Sequence, residues 1–162
     1  VVQVHTFSVL GNPVPQGSMR AFVVNGRAVL TSSSKNLKEW RNLIAYQANS
    51  YLTETMGWGS TSTRLVGFFS YAEPVKVAAK FYFVRPKSHL KKSGGLTKSA
   101  PRSKHSKPDV DKLARAVLDA LTGVFFEDDS QVVFLTVEKL YADPGIGPGV
   151  EISIESYDET DE

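Results

Sequence analysis

Residues 107–132 read KPDVDKLARAVLDALTGVFFEDDSQV, an amphipathic pattern bracketed by acids. Leu113, Ala116, Val117, Ala120 and Leu121 recur at helical spacing, while Asp111, Arg115, Asp119 and Thr122 fall on the opposite side. Gly123 supplies a helix stop, and SQVVFLTVEKLYA beyond it has the composition of a strand. Upstream, PVKVAAKFYFVRP alternates Val75, Val77, Ala79, Phe81 and Phe83 before Pro86, a second strand. Strand, helix, strand is therefore the central unit, and helices should cover a sheet.

Working outward, VQVHTFSVLG alternates with Val2, Val4, Phe7 and Val9 as the apolar positions of a first strand, and GNPVPQGSMR is a loop. AFVVNGRAVLTSS places Asn25-Gly26 between two β-branched runs, the strongest hairpin signal in the chain. A helix from about Lys35 to Thr53 carries Leu37, Trp40, Leu43, Ile44, Gln47 and Tyr51 at helical spacing, with the preceding serines as N-cap candidates. MGWGSTSTRLVGFFSYAEP reads as a loop, and GIGPGVEISIES turns into a last strand with Val150, Ile152 and Ile154 alternating. The order β, hairpin, α, β, α, β, β predicts an α+β or mixed α/β fold, a small mixed sheet with two main helices packed on it. At 162 residues, one domain spanning 1–162 is expected.

The absence of cysteine excludes disulfides, zinc–thiolate sites and thiol catalysis, and fits a cytoplasmic setting. No apolar run reaches the roughly 18 residues of a membrane span, and the N-terminal residues do not read as a signal peptide. Net charge is only +2, but it is unevenly spread. Residues 85–107 hold Arg85, Lys87, Lys91, Lys92, Lys98, Arg102, Lys104 and Lys107 without one acid, whereas 155–162 (ESYDETDE) is acidic. The basic stretch lacks periodicity and is expected to be a long functional loop; the acidic end is expected to be a solvated tail.

Each acid of the opening stretch has a local explanation. Asp109 suits a helix N-cap, Asp111 suits the helix dipole or an i,i+4 pair with Arg115, and Glu127-Asp128-Asp129-Ser130 suits a turn. None explains why acids flank one helix directly after a cationic segment. The helix should span roughly 20 Å. The second group reaches the first only if GVFFEDD runs back along it, which seven extended residues, at roughly 20–25 Å, permit. Converged carboxylates would suit magnesium or manganese, and the basic stretch would hold a polyanion that acids alone repel. That combination points to metal-dependent phosphodiester hydrolysis.

At these residues the chain resembles the RusA-like Holliday junction resolvases, common in bacteriophages. Lys107, Asp-x-Asp-Lys-Leu from Asp109, Leu-Asp-Ala-Leu from Leu118 and Asp-Asp-x-Gln from Asp128 follow that family's signature, and GNPVPQGSMR is similar to its Pro-rich, basic N-terminal loop. The resemblance implies an α/β homodimer that nicks four-way DNA junctions symmetrically with Mg2+ or Mn2+. It places Asp109, Asp111 and Asp129 as metal-binding aspartates, with Asp128 as their acidic neighbour. Where the family often carries a lysine one turn after the second aspartate this chain has Arg115, so assistance to the leaving group falls to Arg115, Lys112 or a loop lysine. Arg20, Lys87, Lys91, Lys92, Lys98, Arg102, Lys104 and Lys107 are the expected DNA contacts. Two other functions fit the same residues: a nuclease for flaps or forks, and a non-catalytic DNA-binding module whose acids are only caps and turns.

Overall fold

The computed structural model describes residues 2–17, 19–32, 36–57 and 67–160; the side chains of residues 19–22 and 29–32 lie outside that description. In chain order the elements are β1 (His5–Leu10), β2 (Met19–Val24), β3 (Arg27–Ser32), α1 (Leu37–Met56), β4 (Val75–Phe83), α2 (Val110–Leu121), β5 (Val132–Tyr141) and β6 (Gly149–Ser156), with 3-10 turns at Lys87–His89 and Asp129–Gln131. The sheet order is β1-β6-β4-β5, while β2 and β3 form a separate two-stranded sheet. β6 pairs antiparallel with both β1 and β4, and β4 pairs parallel with β5. The expected α+β architecture, a mixed sheet under two helices, is the one observed.

Alternation decides which face of the sheet is covered. Phe7 and Val9 of β1, Val75, Val77, Ala79 and Phe81 of β4, and Val150, Ile152 and Ile154 of β6 are buried, and the residues between them are more exposed. α1 packs on β1, α2 on β5, and the two helices on each other. Leu37, Trp40, Ile44, Ala48 and Leu52 of α1 meet Leu113, Ala116, Val117, Ala120 and Leu121 of α2 in this single core. In β1 the inward positions are His5, Phe7 and Val9, so Val4 is exposed rather than a core residue. His5 takes the inward place because it fits an aromatic nest of Tyr51, Phe68, Phe69 and Phe125.

The Asn25-Gly26 turn forms as expected, both residues having positive φ (50° and 75°), which matches the twist of a two-residue hairpin. α1 begins at Asn36, which makes no side-chain cap; the candidate caps Ser33 and Ser34 lie outside the described residues. Gly57, with φ 61°, ends the helix. The acidic end is shorter than expected, because Glu155 and Ser156 pair with β4 and Glu155 bonds Lys76 at 3.0 Å. No helix among the described residues is long and apolar enough to cross a membrane.

Two outcomes check this packing. A Cβ on Gly67 would lie 2.5 Å from the carbonyl carbon of Phe126, so Gly67→Ala should cost about 1–3 kcal/mol in urea unfolding. Burial lowers the pKa of His5 below its ordinary 6.5. The unfolded chain then binds the extra proton first, so this residue's contribution is complete above pH 6.5 and declines as pH falls toward the depressed value. Unfolding midpoints should show that decline in the wild type and not in His5→Phe.

Candidate functional site

α2 starts where the cationic segment ends, after a cis Lys107–Pro108 peptide. Asp109 is the N-cap residue by backbone position, with its carbonyl accepting from the Leu113 N–H at 3.2 Å, yet its carboxylate makes no cap bond. Instead Asp109 Oδ2 lies 3.5 Å from Lys112 Nζ, both side chains being about half exposed. Asp111 is exposed in the first turn, and Arg115 is exposed one turn later on the same face. Asp119, the next acid on that face, is engaged by Arg41 of α1 at 3.4 Å. Two accessible carboxylates and two cations therefore share the entrance of α2, where the helix dipole favours anions.

The stretch before α2 is fastened to the sheet rather than free. Arg102 O accepts from Tyr141 N, and Lys104 N donates to Lys139 O, so residues 102–104 run beside the end of β5. Lys139 Nζ donates to the carbonyls of Ser106 and Pro108, each at 2.8 Å, tying the α2 entrance to β5. Lys104 Nζ bonds Ser106 Oγ and lies over the rings of Phe83 and Tyr141. Arg85 donates to the carbonyls of Ala142 and Pro101. Lys87, Lys91, Lys92, Lys98, Arg102 and Lys107 remain exposed. The expected long loop is thus a fastened, cation-bearing layer, because its backbone finds partners on β5 and within itself. Arg20 lies in β2 rather than in a loop, with its side chain outside the described part.

Asp128 and Asp129 lie elsewhere. Asp128 accepts from Ser130 N at 2.8 Å, and these hydrogen bonds from Ser130 hold its carboxyl below the usual carboxylate range. Its own N–H and that of Glu127 donate to Gln131 Oε1, while Gln131 Nε2 donates to the carbonyls of Ser70 and Glu73. Buried Gln131 thereby fixes the acidic turn beside the start of β4. The sequence places Gln131 in the signature but gives it no role; a glutamine buried between turn and strand is recognisable only once its four partners are in place.

The two acidic groups therefore occupy opposite ends of α2. After Leu121 the chain reverses tightly, with Gly123 N donating to Phe126 O and Val124 and Phe125 both donating to Leu121 O. Val124, Phe125 and Phe126 are buried, Phe125 stacking on Phe7, so these side chains belong to the core. The core draws GVFFEDD inward at the end of the helix, so it does not run back to Asp109 as expected. β5 then travels alongside α2 to Lys139, and Asp129 is left about a helix length, roughly 18 Å for twelve residues, from Asp109. Among the described residues no group of three His, Cys, Asp or Glu is placed to hold a metal ion. The carboxylate chemistry suits magnesium, but the donor set gathered within one chain does not.

The profile of the family described as Endodeoxyribonuclease RusA matches residues 11–155. A relative from Bacillus subtilis (strain 168), named Uncharacterized protein YqaN, is 33% identical over 150 residues, covering 91% of this chain and 93% of its own length. Both alignments take in the α2 entrance and the acidic turn. Replacing Gln131 with leucine should take the acceptor from the part-buried N–H groups of Glu127 and Asp128 and lower stability by about 1–3 kcal/mol, read as a shift in the urea midpoint.

Proposed function

The chain belongs to the endodeoxyribonuclease RusA family, and from that premise we propose that it cleaves four-way DNA junctions by paired nicks, as a phage-type resolvase acting as a homodimer. The observation that carries this reading is the α2 entrance, where the accessible carboxylates of Asp109 and Asp111 adjoin an ordered layer of exposed lysines and arginines. Acids alone repel DNA; acids framed by cations accept a phosphate backbone and place carboxylates against it. Asp109 and Asp111 are the part of a hard-cation site that one chain supplies. Magnesium or manganese bound there would acidify a water and offset phosphoryl charge.

The roles of the other side chains follow from where they sit. Arg115, one turn behind Asp111, grips a phosphate through its planar guanidinium and so orients the scissile group. Lys112, beside Asp109, is the ammonium nearest the carboxylates and the better candidate for assisting the leaving oxygen. Lys107 and Arg102 hold the adjoining backbone, and Lys87, Lys91, Lys92 and Lys98 extend that track. Lys104 supports the layer through Ser106, Phe83 and Tyr141 as well as adding to its field. One catalytic domain comprising the whole chain accounts for these residues.

The test is a synthetic four-way junction with Mg2+ or Mn2+. Wild type should nick opposed strands, and Asp111→Asn should reduce nicking by about two orders of magnitude while retaining binding. Binding of both should weaken steeply between 50 and 200 mM salt, about a hundredfold or more. Cleavage of flaps or forks in preference to junctions would reassign the substrate, and binding without any nicking would leave a DNA-binding module.

A further inference from the structure

We infer that the outer edge of β1 is a docking site for an extended segment of another protein, one that alternates apolar with basic residues and joins the sheet as a further strand. The inference is independent of the nuclease reading and concerns the edge of the sheet opposite β5. Among the described residues β6 is the only strand paired with β1. Gly11 N donates to Pro148 O, one step beyond the Leu10–Gly149 pair. By the alternation of an antiparallel ladder, His5, Phe7 and Val9 therefore turn their backbone groups to β6, and Thr6, Ser8 and Leu10 turn theirs outward. Among the described residues no hydrogen bond meets those outward groups. Open edges are normally guarded by charge or proline; HTFSVL has no proline, and its one titratable residue, His5, is buried.

The surfaces on either side of this edge define what fits it. On the helix side a groove of about 350 Å³ is floored by Phe7 and walled by Tyr46, Tyr51 and Glu54, with Tyr46 67% exposed. On the other face Leu10 and Ile146, 73% and 64% exposed, border a hollow of about 290 Å³ that Tyr82, Asp143 and Glu151 also line. Side chains of an added strand alternate between these two faces. Apolar ones suit the aromatic groove. Lysine or arginine suits the hollow, since the stem covers Leu10 and Ile146 while the head reaches the carboxylates. Charge argues for the same partner. The ion pairs among the described residues are Arg41–Asp119, Lys76–Glu155 and Lys112–Asp109, so Glu54, Asp143 and Glu151 have none, and Lys80 stands opposite Glu151 on β4 without pairing with it. Three such acids repel a polyanion, which separates this edge from the cationic layer. A second copy is a poor occupant, because β1 itself has no lysine or arginine to offer them. Main-chain bonds to Thr6, Ser8 and Leu10 would supply affinity, and the two faces specificity.

Amide hydrogen exchange on the full chain tests this, with the capped peptide Arg-Leu-Arg-Val-Arg-Leu as probe. Alone, the protein should protect the N–H groups of Phe7 and Val9 and leave those of Thr6, Ser8 and Leu10 open; saturating probe should slow these three by about tenfold or more. Glu54→Gln and Asp143→Asn, both at exposed positions, should together weaken probe binding about tenfold with the unfolding midpoint unchanged. Glu-Leu-Glu-Val-Glu-Leu should not bind, and neither should the probe N-methylated at alternate residues, which cannot complete the ladder. Protection of Thr6, Ser8 and Leu10 in the protein alone would show the edge already taken, by a second copy or by the chain itself, and would overturn the proposal. So would a probe that leaves their exchange unchanged. Equal binding of the acidic peptide would overturn the choice of partner, and equal binding of the methylated one the strand addition.

Discussion

The burial of Val124, Phe125 and Phe126 beneath the end of α2 is the constraint from which the site geometry follows. Three large apolar side chains immediately after a helix cannot remain in solvent when a core lies beside them; at about 1.5–3 kcal/mol for each buried side chain their position is decided by packing, not by the acids that follow. Gly67 lies against the backbone of Phe126, and the Phe68 and Phe69 N–H groups donate to the carbonyls of Val124 and Phe125, so the turn is also sealed by hydrogen bonds. Once the chain is held there, β5 must begin at the far end of the helix and the acidic turn must remain with it. Gln131 then fastens that turn to the segment before β4.

The cationic layer is organised in the same way, by partners the fold supplies. Lys139 is a solitary lysine in an apolar strand, and its ammonium joins the carbonyls of Ser106 and Pro108. Arg85 performs the corresponding task at the other side of the segment. Charges with such assignments hold the backbone in place, and the lysines around them are left exposed. A preformed layer loses less conformational entropy on binding than a free loop would.

Much of the fold was legible in periodicity, because each element faces one core and polar residues mark its other side. β4, β6 and α2 repeat their apolar positions at spacings of two or three to four, and Asn25-Gly26 dictates its own hairpin. His5 escaped that reading because its inward place depends on aromatic neighbours from three distant segments. The acids could be found, but not their arrangement. GVFFEDD is long enough to reach back along α2, and only the core, assembled from β1, α1 and residues 67–69, shows that it does not. Asp109 was legible as a cap, and the structure gives it the cap's backbone position without the cap's bond, leaving the carboxylate available. The order within residues 85–107 had no periodic signal because it comes from irregular contacts with β5.

The position of β6 has a consequence for biosynthesis. Among the described residues this strand is the last element in sequence, yet it sits between β1 and β4 and is the sole bridge from the first strand to the rest of the main sheet. A nascent chain can form the hairpin and begin α1 early, but β1 has no sheet neighbour until residues 149–156 leave the ribosome. At about 5–20 residues per second, the interval between the emergence of β1 and that of β6 is on the order of ten seconds. Through that interval the inner face of β1 waits uncovered by its strand partner. A chain cut short before β6 would thus carry the acids and the basic layer beside β4 and β5 alone, so that the full sheet is assembled only when translation has passed every element of the fold.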